Sequence, residues 1–238
     1  MTHGARREAG FTLVEIAIVL VIIGLLLGGI LKGQEMIAQA KIKNLVADLN
    51  GVTAAMNSYQ DRYKALPGDD KNANTRWSAT SPGNGDGVIQ DTYNAAVPTT
   101  LASSTATGPE SVFFWHHLRL AGFLSGTGAD QPFNAVSGKM GVQTGNGPAS
   151  SATPPTAPTA VLAGTGTNPP PGFTSLILCS ANLPDKMAIS VDAQMDDGVG
   201  TTGSVRGMAQ TSPNPTIGGT ASDYVETGTN QYVVCKQM

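Results

Sequence analysis

Glu15 is the one carboxylate inside the run FTLVEIAIVLVIIGLLLGGIL, and a charge in an apolar helix is costly enough to call for a partner. Asp192, Asp196 and Asp197 cluster around an Asp-Asp-Gly turn, where carboxylates either hold a cation or act as caps and turn formers. Residues 83–89, GNGDGVI, contain the middle of an EF-hand calcium loop. The match fails at both ends, with Pro82 in place of the first carboxylate and Tyr93 in place of the last. His116 and His117 are adjacent, so on a helix they point in different directions and form no facing metal pair; surface or helix-end positions are expected for both. Ser/His/Asp and metal-ligand arrangements are missing as motifs, so no enzyme and no resident cofactor are expected.

The elements that must position these residues divide the chain in two. A short polar start with Arg6 and Arg7 precedes the apolar run, and Ile16 to Leu31 carry no charge. Phe11 to Leu31 as a helix spans about 31 Å, enough for a bilayer core. The arginines favour a cytoplasmic N-terminus with the remainder exported. An ordinary secretory signal fits the start but not the end, because KGQEM follows Leu31 without an A-x-A-like site. Gly24, Gly28, Gly29 and Gly33 give two G-x-x-x-G spacings, which permit close helix contact or reflect how common Gly is in membrane helices.

Beyond the apolar run, Ile42, Leu45, Val46, Leu49, Val52, Met56, Tyr59 and Tyr63 recur at three- and four-residue steps. That is one apolar helix face, which normally packs on a sheet. Pro67-Gly68 ends the pattern, so one helix of about 80 Å over 11–63 is expected. Residues 110–124 read as a second helix, and 174–179 and 231–235 read as strands. Residues 186–195 read as a short helix or strand. SATPPTAPTAVLAGTGTNPPPG, within a low-complexity stretch at 137–172, reads as loop with extended Pro-rich pieces. The composition carries a formal net charge of −3, which argues against nucleic acid as a partner. Export places Cys179 and Cys235 in an oxidising compartment, where a disulfide between them would tie the terminal strand to the one at 174–179.

Gly10-Phe11-Thr12-Leu13-Val14-Glu15, followed by the apolar run, resembles the processing motif of type IV pilins and type II secretion pseudopilins. The resemblance covers about residues 1–63. It implies a leader at 1–10, cleavage by prepilin peptidase between Gly10 and Phe11, and N-methylation of Phe11. It also implies that Glu15 pairs with the N-terminal amine of a neighbouring subunit during assembly. Lys32 stands where many members of the family carry a Pro. ALPGDDKNANTRW and the Asp-Asp-Gly block are similar to the heads of a subset of pilin-like proteins. Because related pseudopilins often bind calcium, Ca²⁺ candidates are Asp69, Asp70, Asn84, Asp86 and Asp91, together with Asp192, Asp196 and Asp197.

The expected fold class is α+β and type IV pilin-like. A long N-terminal helix, transmembrane over about 11–31, packs on a small antiparallel sheet in a head spanning 64–238. The expected role is a structural subunit of a type IV pilus or related filament. A type II secretion pseudopilin, or a minor pilin acting as adhesin or DNA-uptake subunit, are the competing readings. Expected partners are prepilin peptidase, other pilin or pseudopilin subunits and an inner-membrane assembly platform. The precursor would sit once through the inner membrane, with its head periplasmic, or extracellular once assembled into a pilus.

Overall fold

The computed structural model describes residues 12–106, 108–149 and 156–238. Helix α1 spans Leu13–Tyr63, and the chain divides into one unit ending at Ala40 and a second at Lys41–Met238. Within the first unit, the apolar side chains from Leu13 to Leu31 are 46–89% exposed. They are apolar all round rather than on one stripe, as a helix solvated by lipid or by other apolar helices would be.

In the second unit, α1 turns amphipathic. Ile42, Leu45, Leu49, Val52, Met56 and Tyr59 are buried at three- and four-residue spacing. They pack with α3 (Glu110–Leu120), α4 (Asp185–Met195) and one face of a four-stranded antiparallel sheet. The strands β1 (Met140–Thr144), β2 (Leu176–Pro184), β3 (Val205–Ala209) and β4 (Gln231–Gln237) lie in the order β1-β2-β4-β3. A short α2 (Ala73–Arg76) follows the Pro67-Gly68 turn. This is the α+β, pilin-like layout.

Strand alternation sorts the sheet into two cores. Val142, Leu178, Val234 and Tyr232 face the helices. Ile177, Cys179, Val233 and Cys235 face the other way, onto Tyr93, Val161, Leu162 and Phe173. Cys179 and Cys235 are cross-strand partners in register and form a disulfide.

The low-complexity stretch at 137–172 contains β1, an edge strand of the sheet, ahead of the segment expected as loop, and within that segment Val161 and Leu162 are buried against the second face. Arg206 on β3 holds this segment. Its Nη1 donates to the Leu162 and Pro171 carbonyls at 2.8 and 2.7 Å, and its guanidinium lies over the Phe173 ring. Composition hid the strand because the stretch as a whole is rich in Gly, Pro, Ser and Thr.

Contrary to expectation, the histidines are not at the surface. His116 and His117 are both buried on α3. The His117 Nδ1 accepts from the Gly68 amide at 2.9 Å, so its Nε2 carries the proton and donates to the Ser81 carbonyl at 3.1 Å. Burial pushes the imidazole down to about 3, so it stays neutral. Gly68 has φ +90°, and a Cβ there would run into the Glu110 carbonyl, so only glycine fits this turn.

Candidate assembly site

The first described residues of α1 form a reciprocal cap. The Thr12 amide and hydroxyl each donate to Glu15 Oε2 at 2.8 Å, and the Glu15 amide donates back to Thr12 Oγ1 at 3.3 Å. Thr12-x-x-Glu15 is thus a capping box, with Thr at the N-cap and Glu three residues on. The spacing is plain in the sequence, yet Glu15 reads there as a carboxylate in want of a distant partner. The structure gives it a local one, and the negative charge also suits the positive end of the helix dipole. Gly10 and Phe11, the expected processing residues, lie outside the described residues. A Cβ built on Gly24, Gly28, Gly29 or Gly33 meets open space, so no contact among the described residues requires glycine at these positions. Lys32 pairs with Glu35 at 2.9 Å, both fully solvated, an arrangement that adds little to stability.

The candidate calcium residues separate into groups. Asp69, Asp86 and Glu110 each bring one oxygen within 4.8 Å of the others. Glu110 was not a sequence candidate, because it is far along the chain from the two aspartates and nothing local marks it. Asp69 accepts the amides of Gly85, Asp86 and Gly87, while Glu110 accepts those of Asn84 at 3.1 Å and Gln90 at 3.0 Å. Asp86 accepts from Val88, from the Asn84 side chain and from the Gln90 side chain. The three carboxylates therefore fold the 84–90 loop around themselves. Burial pushes Asp69 up, and it pushes Glu110 up to about 8, against the pull of the amide donors.

Asp70 belongs to a different arrangement. It accepts from the Tyr59 hydroxyl at 2.7 Å, pairs with Arg76, and leaves that guanidinium over the Tyr63 and Trp77 rings. Asp91 stands apart with positive φ, and its Oδ2 is buried with no partner among the described residues.

Asp192, Asp196 and Asp197 do come together, again with one oxygen each within 4.8 Å. Asp192 is fully buried, accepting from the Tyr224 hydroxyl at 2.7 Å and the Gly198 amide at 2.9 Å. Burial pushes it up to about 6. Asp196 accepts from the Ser204 and Val205 amides, and Asp197 from the Val199 amide and the Thr202 hydroxyl. A side chain at Gly203, where φ is +71°, would strike the Asp196 carboxylate. Either cluster has the spacing for one hard cation to reach three oxygens, and at both sites a cation would share those oxygens with the N–H and O–H donors already bound.

Residues 5–31 match the family model described as the prokaryotic N-terminal methylation motif. The chain carries the type IV pilin and pseudopilin signal. No curated protein and no solved structure matches the chain. The pilin signal covers the capping box and the exposed apolar stretch, so the matched residues and the exposed helix surface coincide. It points to a structural protein rather than an enzyme, and with the apolar helix it suggests a membrane-anchored precursor.

Proposed function

We propose that this chain is a structural subunit of a type IV pilus or related filament. Prepilin peptidase cuts between Gly10 and Phe11 and methylates Phe11, and an inner-membrane platform then draws the subunit out of the bilayer. The apolar residues of α1 exchange lipid for the same residues of neighbouring copies. Glu15 pairs with the new N-terminal amine of a neighbour, which offsets two charges in an apolar setting. The observation that carries this reading is the coincidence of the methylation motif at 5–31 with a long apolar helix surface that is exposed among the described residues.

The type II secretion pseudopilin reading uses the same cleavage and the same helix. Lys32, which stands where many members of the family carry a helix-softening Pro, weakens a major-subunit assignment and so keeps this reading open. Mass spectrometry of the N-terminus separates the two. A chain beginning with N-methyl-Phe11 in sheared surface filaments supports the pilus subunit. The same processed chain found in membranes alone supports the pseudopilin. A chain beginning at Met1 in both fractions overturns processing altogether.

A further inference from the structure

The uncharged run of α1 ends at Leu31, and the turn that follows carries an ion pair without ending the apolar surface. Lys32 Nζ donates to Glu35 Oε2 at 2.9 Å, and the two side chains are 73% and 69% exposed. Just beyond the pair, Met36 is 66% and Ile37 60% exposed. Met36 follows Lys32 by four residues and so lies on the same helix face. A turn both charged and apolar suits neither open water nor hydrocarbon. It suits the layer between them, where a lysine stem lies along apolar surface and its ammonium reaches polar groups.

Helix length puts the turn in that layer. Residues 11–31 span about 31 Å as a helix, which matches a hydrocarbon core of about 30 Å. Lys32 to Ile37 rises a further stretch of about 7.5 Å. The headgroup layer on one side of a bilayer is about 5–7 Å thick, so this single turn crosses it.

The charge pattern narrows the occupant. The Lys32 ammonium has three N–H groups and gives one to Glu35, and the Glu35 carboxylate keeps free lone pairs. A simple anion here would meet Glu35, and a simple cation would meet Lys32. A headgroup that carries a phosphate and a primary ammonium presents an acceptor to the first and a donor to the second.

We propose that the Lys32–Glu35 turn binds a phosphoethanolamine lipid headgroup. Lys32 donates to the lipid phosphate, the lipid ammonium donates to Glu35, and Met36 and Ile37 lie against the start of the acyl chains. A trimethylammonium headgroup has the same charges but no N–H to donate, so it binds more weakly. The inference rests on the membrane-anchored form of the chain and not on filament assembly.

Full-length protein with ¹⁵N-labelled lysine is reconstituted in bilayers of mixed phosphatidylethanolamine and phosphatidylcholine, and in phosphatidylcholine alone. Solid-state NMR reads the dipolar coupling between lysine ¹⁵Nζ and lipid ³¹P. Proton spin diffusion from the acyl chains into α1 reads insertion in the same samples. The expected result is an Nζ–phosphorus coupling in the mixed bilayer that is lost in Lys32→Gln. It should weaken in Glu35→Gln and in phosphatidylcholine alone. An inserted helix with no Lys32-dependent coupling overturns the inference and leaves the anchored form standing. An equal coupling in phosphatidylcholine alone, or in Glu35→Gln, overturns the recognition of the ammonium. A helix that does not insert overturns both the inference and the anchored form.

Discussion

Thr12 and Glu15 satisfy each other: the Thr12 amide and hydroxyl both reach one Glu15 oxygen, and the Glu15 amide returns a bond to the Thr12 hydroxyl. The carboxylate is thereby fixed at the first turn of the helix, where an incoming amine would find it already oriented. Thr12→Ala removes two of the three bonds and keeps the charge. Amide exchange over residues 13–16 should become several-fold faster in that variant, while N-terminal processing and filament incorporation are largely retained. Unchanged exchange would contradict the capping box.

Glu110 gives the head a pH dependence with a definite sign. Its folded carboxyl titrates near 8, well above the ordinary value of 4.5, so the unfolded chain releases the proton first. Stability from this group is complete below about 4.5, declines as pH rises, and is lost through about 8. Asp69 is raised as well and acts in the same sense. Buried His117 works in the opposite sense, but only between about 3 and 6.5. Melting temperatures measured from pH 6.5 to 9 should therefore fall. Glu110→Gln should lower the baseline, because its NH₂ faces an amide donor, and should flatten the slope. A slope preserved in Glu110→Gln would assign the effect elsewhere.

How much of this was readable depended on whether the signal was local. The α1 stripe from Ile42 to Tyr59 was plain, since one helix period repeats over several turns. The starts of β2 and β4 were marked by Leu176-Ile177-Leu178-Cys179 and Tyr232-Val233-Val234-Cys235. Strands β1 and β3 were not, because Met140-Gly141-Val142-Gln143-Thr144 and Val205-Arg206-Gly207-Met208-Ala209 are short, carry glycine, and draw their stability from neighbours distant in sequence. Glu110 was missed for the same reason, as its loop lies 20 to 26 residues away. Burial of His117 depends on the Gly68 amide, 49 residues away. The Thr12-x-x-Glu15 box is local, its three bonds all spanning three residues, so it is legible from spacing alone.

The disulfide joins directly opposed residues of β2 and β4 across a separation of 56 residues. The double variant Cys179→Ala/Cys235→Ala should lose roughly 4 kcal/mol in a chain-entropy account, read from denaturant unfolding of the wild type and variant. A loss below about 1 kcal/mol would mean that the sheet holds its register without the cross-link.

Arg206 should govern the order of the Pro-rich segment. Arg206→Met leaves the Leu162 and Pro171 carbonyls without their donor, at a cost of about 2 kcal/mol. Hydrogen exchange should rise over residues 161–173 and stay unchanged in α3. Uniform loss of protection across the head would contradict this local role.

The central claim is that the Glu15 charge drives assembly, and Glu15→Gln tests it most directly. Glutamine preserves the capping box, so the helix start survives while the charge is removed. Cells expressing this variant are fractionated into membranes and sheared filaments, and the chain in each is quantified by mass spectrometry. The account predicts processed chain, beginning at N-methyl-Phe11, abundant in membranes and depleted at least tenfold from filaments. Incorporation at the wild-type level would contradict it.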